Sequence, residues 1–145
     1  MENIRRQLIR HEGLRLRPYK CSAGKITIGV GRNIEDRGIT EAEAMVMLEN
    51  DIAGARADVE SLLDEFGIRK WELNQARLDA LVNMAFNLGR RRLSGFKKMF
   101  AAIKDRNFDL GAAEVLNSKY ARDVGQRAVE LSNQLSSGKY QDQRG

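Results

Sequence analysis

One long, capped helix in the middle of the chain constrains the fold most. Thr40-Glu41-Ala42-Glu43 has the spacing of a capping box, where a hydroxyl and a carboxylate each take a backbone N–H at a helix start. Met45, Leu48, Ile52, Ala55, Val59 and Leu62 follow at alternating steps of three and four, the repeat of one helix face. Gly67 supplies the stop. A helix over 41–66 would run about 39 Å at the standard rise per residue. That is longer than one compact half of a 145-residue chain needs, so it reads as a strut between two lobes. The seam is also heptad-like, as in a two-stranded coiled coil. Gly54 interrupts it, and it is shorter than about four heptads, which argues for the strut.

The segments on either side differ in kind. Before the strut, residues 3–10 read as a short helix with Ile4 and Leu8 on one face, closed by Gly13. Residues 18–33 read as a small antiparallel sheet with a turn at Ser22-Ala23-Gly24. Lys25-Ile26-Thr27-Ile28-Gly29-Val30-Gly31 alternates with period two. The expectation is that Ile26, Ile28 and Val30 face a core while Thr27 and the glycines line an open cleft. After the strut the chain is helical. Asn74 caps a helix carrying Leu78, Leu81, Val82, Ala85 and Phe86 and ending at Gly89. Phe96, Met99, Phe100 and Ile103 mark another. Asp109 is expected to cap a third, bearing Ala112, Ala113, Val115 and Leu116, and a last helix covers 126–135 before Gly138. Residues 141–145 read as a frayed polar tail. The fold class is therefore α+β and mostly helical. A sheet lobe at about 12–40 is joined by a helix at about 41–66 to a helical lobe at about 72–138, which also takes the N-terminal helix. Clefts between lobes are frequent binding sites.

Composition excludes several function classes. One Cys and one His cannot by themselves form a disulfide or a structural zinc site, and no Gly-rich phosphate loop is present. No apolar run is long enough to cross a bilayer, and no apolar stretch follows the basic N-terminus as in a secretory signal. The expected location is thus the cytoplasm of the cell that makes the protein. With 25 basic and 20 acidic residues the net charge is +5, which favours anionic partners.

The chemistry-bearing residues cluster early. Glu12 ends the first helix, where the negative end of the helix dipole disfavours a carboxylate. Cys21 and Thr27 follow on a hairpin able to fold back over it, a layout suited to acid-catalysed hydrolysis. The stretch Glu12-Gly13-Leu14-Arg15-Leu16, Tyr19-Lys20 and Thr27-Ile28-Gly29-Val30-Gly31 resembles the active-site segment of the phage endolysins of glycoside hydrolase family 24, the T-even phage lysozyme type. Ala80-Leu81-Val82-Asn83-Met84-Ala85-Phe86-Asn87-Leu88-Gly89 is similar to that family's helix along the cleft. Weaker similarity continues through Gly95-Phe96 and from Tyr120 to Arg127.

The resemblance implies a lysozyme-like fold, no metal and no organic cofactor. It implies hydrolysis of the β-1,4 bond between N-acetylmuramic acid and N-acetylglucosamine in peptidoglycan, with inversion. Glu12 would be the general acid, Thr27 would order the attacking water, and Arg127 would pair with the glutamate. Phe86 and Asn87 are candidate sugar contacts. The expected partners are glycan strands and the anionic bacterial envelope, not nucleic acid and not an inserted membrane. The chain is expected to act as a monomer that waits in the host cytoplasm until a separate phage pore admits it to the wall.

Three positions depart from the T-even pattern. Cys21 stands where the best-known members have Asp, although the family pattern admits either. A thiol at its ordinary pKa is mostly protonated at neutral pH. Cys21 is therefore read as a base or water-positioning group, with a covalent nucleophile and a bystander as alternatives; a nucleophile would predict retention. Lys20 and Lys25 are expected to lower its pKa. Arg32 replaces a histidine and is expected to add positive charge at the cleft mouth, and the segment 33–38 is short. His11 reads as a helix-surface residue, and Trp71 as packed at a lobe junction rather than stacked on substrate. Two other functions compete. One is a wall-binding module that has lost catalysis. The other is a basic nucleic-acid binder using Gln126-Arg127 and Arg90-Arg91-Arg92, with a lipid-binding last helix as a minor variant.

Overall fold

The computed structural model describes residues 2–141, so the expected frayed tail at 142–145 lies outside the described residues. The chain divides into two compact units, Met1–Met47 and Leu48–Gly145.

The first unit opens with α1 (Glu2–Glu12). It ends where Gly13, at φ +79°, donates its N–H to the Ile9 carbonyl. No residue of α1 is buried, and Ile4 and Leu8 are both exposed. Three antiparallel strands follow in the order β1 (Arg15–Lys20), β2 (Ile26–Gly29) and β3 (Arg32–Asn33). Tyr19 pairs with Thr27 and Lys20 with Ile26, while the register slips between Arg15 and Tyr19. Pro18, which has no N–H for the ladder, lies in that slip. The expected turn at Gly24 closes with hydrogen bonds between Cys21 and Lys25 and from Gly24 to Cys21. A short helix α2 (Ile34–Arg37) occupies the segment after the sheet. Asn33 caps it, and its Glu35 accepts the Ile26 N–H.

The expected facing of β2 is reversed. Thr27 is the buried residue, 3% exposed, whereas Ile26 and Val30 are exposed. Period two sorts residues onto two faces but does not say which face is covered. In a three-stranded sheet this small, little of either face is covered.

The expected long helix is present as α3 (Glu41–Glu65). Its capping box is formed on both sides: the Glu43 N–H donates to Thr40 Oγ1, and the Thr40 N–H donates to Glu43 Oε1. It ends with Gly67 at φ +74° and the Ile68 N–H on the Leu63 carbonyl. Its buried residues, Ala55, Val59, Leu62 and Leu63, all fall in the second unit.

That unit continues with α4 (Gln75–Leu88), α5 (Arg90–Ser94), α6 (Lys97–Lys104), α7 (Phe108–Leu116), α8 (Lys119–Val124) and α9 (Gln126–Ser137). The core is built on Leu62, Leu81, Met84, Met99, Phe100 and Leu131, with Phe66 stacked on Phe100 at 4.6 Å between ring centroids. Asn74 caps α4 as expected. The cap of α7 is Asn107 rather than Asp109; its Oδ1 accepts the Leu110 N–H. α5 and α8 are not legible in the apolar pattern because they are only one to two turns long. Trp71 is exposed rather than packed. It sits on a single 3-10 turn, 75% exposed, with the Arg69 guanidinium 5.7 Å from its ring.

Candidate functional site

The first unit holds the three residues read as catalytic. Glu12 is exposed at the end of α1. Its carboxyl lies against the α-carbon of Gly31 in the turn between β2 and β3. A β-carbon there would stand 2.8 Å from Glu12 Oε2 and 3.0 Å from its Cδ. Gly31 also holds φ +64°, a conformation that costs an L side chain. The left-handed backbone favours glycine here, and the bare α-carbon leaves room for the Glu12 carboxyl. The sequence reading counted Gly31 as part of a motif and missed this contact. Its only local signal is the pair of glycines around Val30.

Cys21 and Thr27 are brought together. The Cys21 thiol is half-buried and held below its ordinary pKa. The main cause is the backbone N–H of Lys25, followed by that of Ala23 and by the Thr27 hydroxyl. Lys25 therefore acts through its main chain, not through the expected ammonium, which pairs with Glu35 at 3.6 Å and Asp36 at 3.4 Å. Thr27 Oγ1 donates to the Lys25 carbonyl at 2.9 Å. Thr27 is buried, so its hydroxyl is held in place on the strand.

Arg32 does not present a free charge. Its fork grips Glu43 with hydrogen bonds of 2.9 and 2.6 Å, and it also donates to the Gly38 carbonyl. Glu43 is held down at about 2, first by Arg32 and then by the Thr40 N–H. The residue expected to add positive charge instead ties β3 to the start of α3.

The second unit holds the other three. Arg127 is exposed on α9 and donates through Nε and Nη2 to Asn83 Oδ1 at 3.0 and 2.7 Å. Asn83, on α4, was missed as a functional residue; it lies four positions before Asn87 on the same helix face. Phe86 is 46% exposed and lines a hollow of about 340 Å³ with Val82, Asn83, Arg127 and Ile52. Asn87 is exposed on the same helix but is not part of that hollow's wall. Among the described residues, no group of three or more His, Cys, Asp and Glu side chains converges as a metal site would. Nor is any helix among them long and apolar enough to cross a membrane.

The sequence profile of the phage lysozyme family matches residues 9–134, which include every candidate residue above. The chain belongs to the phage lysozyme family. It is similar to the peptidoglycan hydrolase gp36 of Pseudomonas phage phiKMV, 31% identical over 92% of this chain and 15% of that protein. It is 38% identical to the endolysin of Acyrthosiphon pisum secondary endosymbiont phage 1, over 55% of this chain and 53% of that one. A probable T4-type lysozyme of Dictyostelium discoideum is 24% identical, over 95% of this chain and 96% of its own length. The chain thus spans about half or less of the first two curated relatives it matches.

Proposed function

We propose that this phage lysozyme family member is a muramidase that cleaves the β-1,4 bond between N-acetylmuramic acid and N-acetylglucosamine in bacterial peptidoglycan. The observation that carries the reading is the seating of the Glu12 carboxyl against Gly31, on the same small sheet that sets Cys21 beside Thr27. Glu12, protonated, gives its proton to the leaving glycosidic oxygen as the bond to the anomeric carbon breaks. A water forms the new bond to that carbon from the opposite face of the sugar and yields its proton to the Cys21 thiolate. Thr27, whose hydroxyl proton is engaged, orders that water through its lone pairs. This gives inversion. Arg127, with its fork fixed by Asn83, is assigned a supporting role in the reaction. Phe86 and Asn87 are assigned to the glycan, Phe86 through its exposed ring.

A monomeric working state, attraction to the anionic envelope and entry to the wall through a separate pore belong to the same proposal. Net charge supports the envelope term. Its test is reducing-end release from purified peptidoglycan by the native chain, Glu12→Gln and Cys21→Ser. Release by the native chain and none by Glu12→Gln is expected. Cys21→Ser is expected to be slower by about 10²-fold or more, the scale of a lost general base. Binding to sacculi without any release by the native chain would leave the wall-binding module instead.

A further inference from the structure

A second hollow, distinct from the one beside Phe86, lies around Leu88 at the C-terminal end of α4. It holds about 480 Å³ and is walled in part by Arg92, Phe96, Lys97, Lys98, Glu114 and Tyr120. Two features make it a site rather than a surface dent. First, Arg92, Lys97 and Lys98 have no ion-pair partner among the described residues. Lys119, also in the wall, reaches only Asp123, at 3.4 Å between two exposed side chains. The single carboxylate in the wall is Glu114. Like charges are thus gathered in a concavity, which focuses their field. Second, α6 starts in this wall and has no side-chain cap, so the first-turn N–H groups of Lys97, Lys98 and Met99 lack the acceptor that a cap provides.

Unpaired cations and uncapped N–H groups are donors without acceptors. They call for a ligand group that is strongly anionic and rich in oxygen. A phosphate ester fits best: it brings more charge and more acceptors than one carboxylate, and the apolar walls at Leu88, Phe96 and Met99 accommodate its ester carbon chain. Those apolar walls favour a lipid phosphate over the wholly polar backbone of duplex DNA. We propose that this hollow binds the phosphate of an anionic phospholipid headgroup, docking the helical unit on the bacterial membrane surface. The choice of a bacterial lipid rests on the envelope reading above; the phosphate chemistry does not.

The experiment uses the full chain with vesicles of phosphatidylglycerol in phosphatidylcholine, read by co-sedimentation, and with inorganic pyrophosphate, read by amide shifts. Lys97→Ala/Lys98→Ala is compared with Lys104→Ala/Arg122→Ala, which removes the same charge from exposed positions outside the hollow. The hollow variant is expected to bind the vesicles roughly thirtyfold more weakly. The control pair should lose less than about threefold, and pyrophosphate should shift the Lys97 and Lys98 amides. Both variants should release reducing ends from soluble peptidoglycan fragments at the native rate, so loss of vesicle binding and loss of hydrolysis read out separately. Equal losses in the two variants would overturn the site in favour of diffuse attraction. A duplex DNA fragment that displaces the protein from vesicles and shifts the same amides more strongly would overturn the lipid in favour of a nucleic acid.

Discussion

The two units solve the problem of holding shape differently. From Leu48 onward the chain encloses Leu62, Leu81, Met99, Phe100, Leu131 and their neighbours, and every buried apolar residue among the described ones lies there. Up to Met47 the one buried side chain among the described residues is that of a threonine. The first unit is held by strand pairing, by glycines at positive φ, and by polar clasps such as Arg32 on Glu43 and Lys25 on Glu35 and Asp36. The proposed acid, base and water-ordering residues all sit on this weakly cored part. Apolar burial gives stability without direction, whereas hydrogen bonds and fixed dihedrals give direction with little stability. The lesson is a division of labour: core mutations should be felt as stability, sheet mutations as activity.

The sharpest way to break this contrast is at Phe100. Phe100→Ala removes a fully buried ring stacked on Phe66 and should cost about 3–5 kcal/mol, read as a fall in the denaturation midpoint. Gly31→Ala tests the other side. It should cost only about 1–2 kcal/mol for the left-handed backbone but lower reducing-end release by about 10²-fold, because the new methyl displaces the Glu12 carboxyl. If Gly31→Ala lost stability and activity in proportion, the division would be wrong.

Tyr120→Phe sharpens the contrast from within the core. It deletes an unpartnered buried hydroxyl and should raise stability by about 1 kcal/mol, seen in urea denaturation. Arg32→Ala probes the sheet unit's clasps. Glu43, held at about 2, contributes stability that is fully present above the ordinary carboxylate pKa and is lost as pH falls toward 2. Without Arg32, a carbon-detected titration should find Glu43 closer to its ordinary value, and acid unfolding should begin at higher pH. The smallest effect is expected from Thr27→Val. Cys21 should move up toward its ordinary thiol value, measured as the pH dependence of its alkylation, but only partly, because the Lys25 N–H is the larger cause of the lowering.

Some of this was readable along the chain because it depends on neighbours a few residues apart. The Thr40–Glu43 capping box, the Asn74 cap, the stops at Gly13, Gly67, Gly89 and Gly138 and the hairpin at Gly24 are all local chemistry, and the structure has each of them. Where two local signals compete within a turn, resolution was lost. Asn107 and Asp109 are both good caps, and only the hydrogen bond to Leu110 decides between them.

Facing and pairing were not readable, because they depend on what lies across space. Alternation along β2 identified Thr27 as different from Ile26 and Ile28 but could not say that Thr27 is the covered one. Charge counting made Arg32 and Lys25 free cations; the fold spends Arg32 on Glu43, Lys25 Nζ on Glu35 and Asp36, and the Lys25 main chain on Cys21. The sequence by itself determined the longer helices, most of their ends and the family, since these rest on short-range spacing and local motifs. Tertiary structure alone decided that the bare α-carbon of Gly31 leaves room for the Glu12 carboxyl, that Asn83 orients Arg127, and that Lys97, Lys98 and Tyr120 share one hollow. These contacts join residues from about 20 to more than 40 positions apart, and no period in the chain encodes such distances.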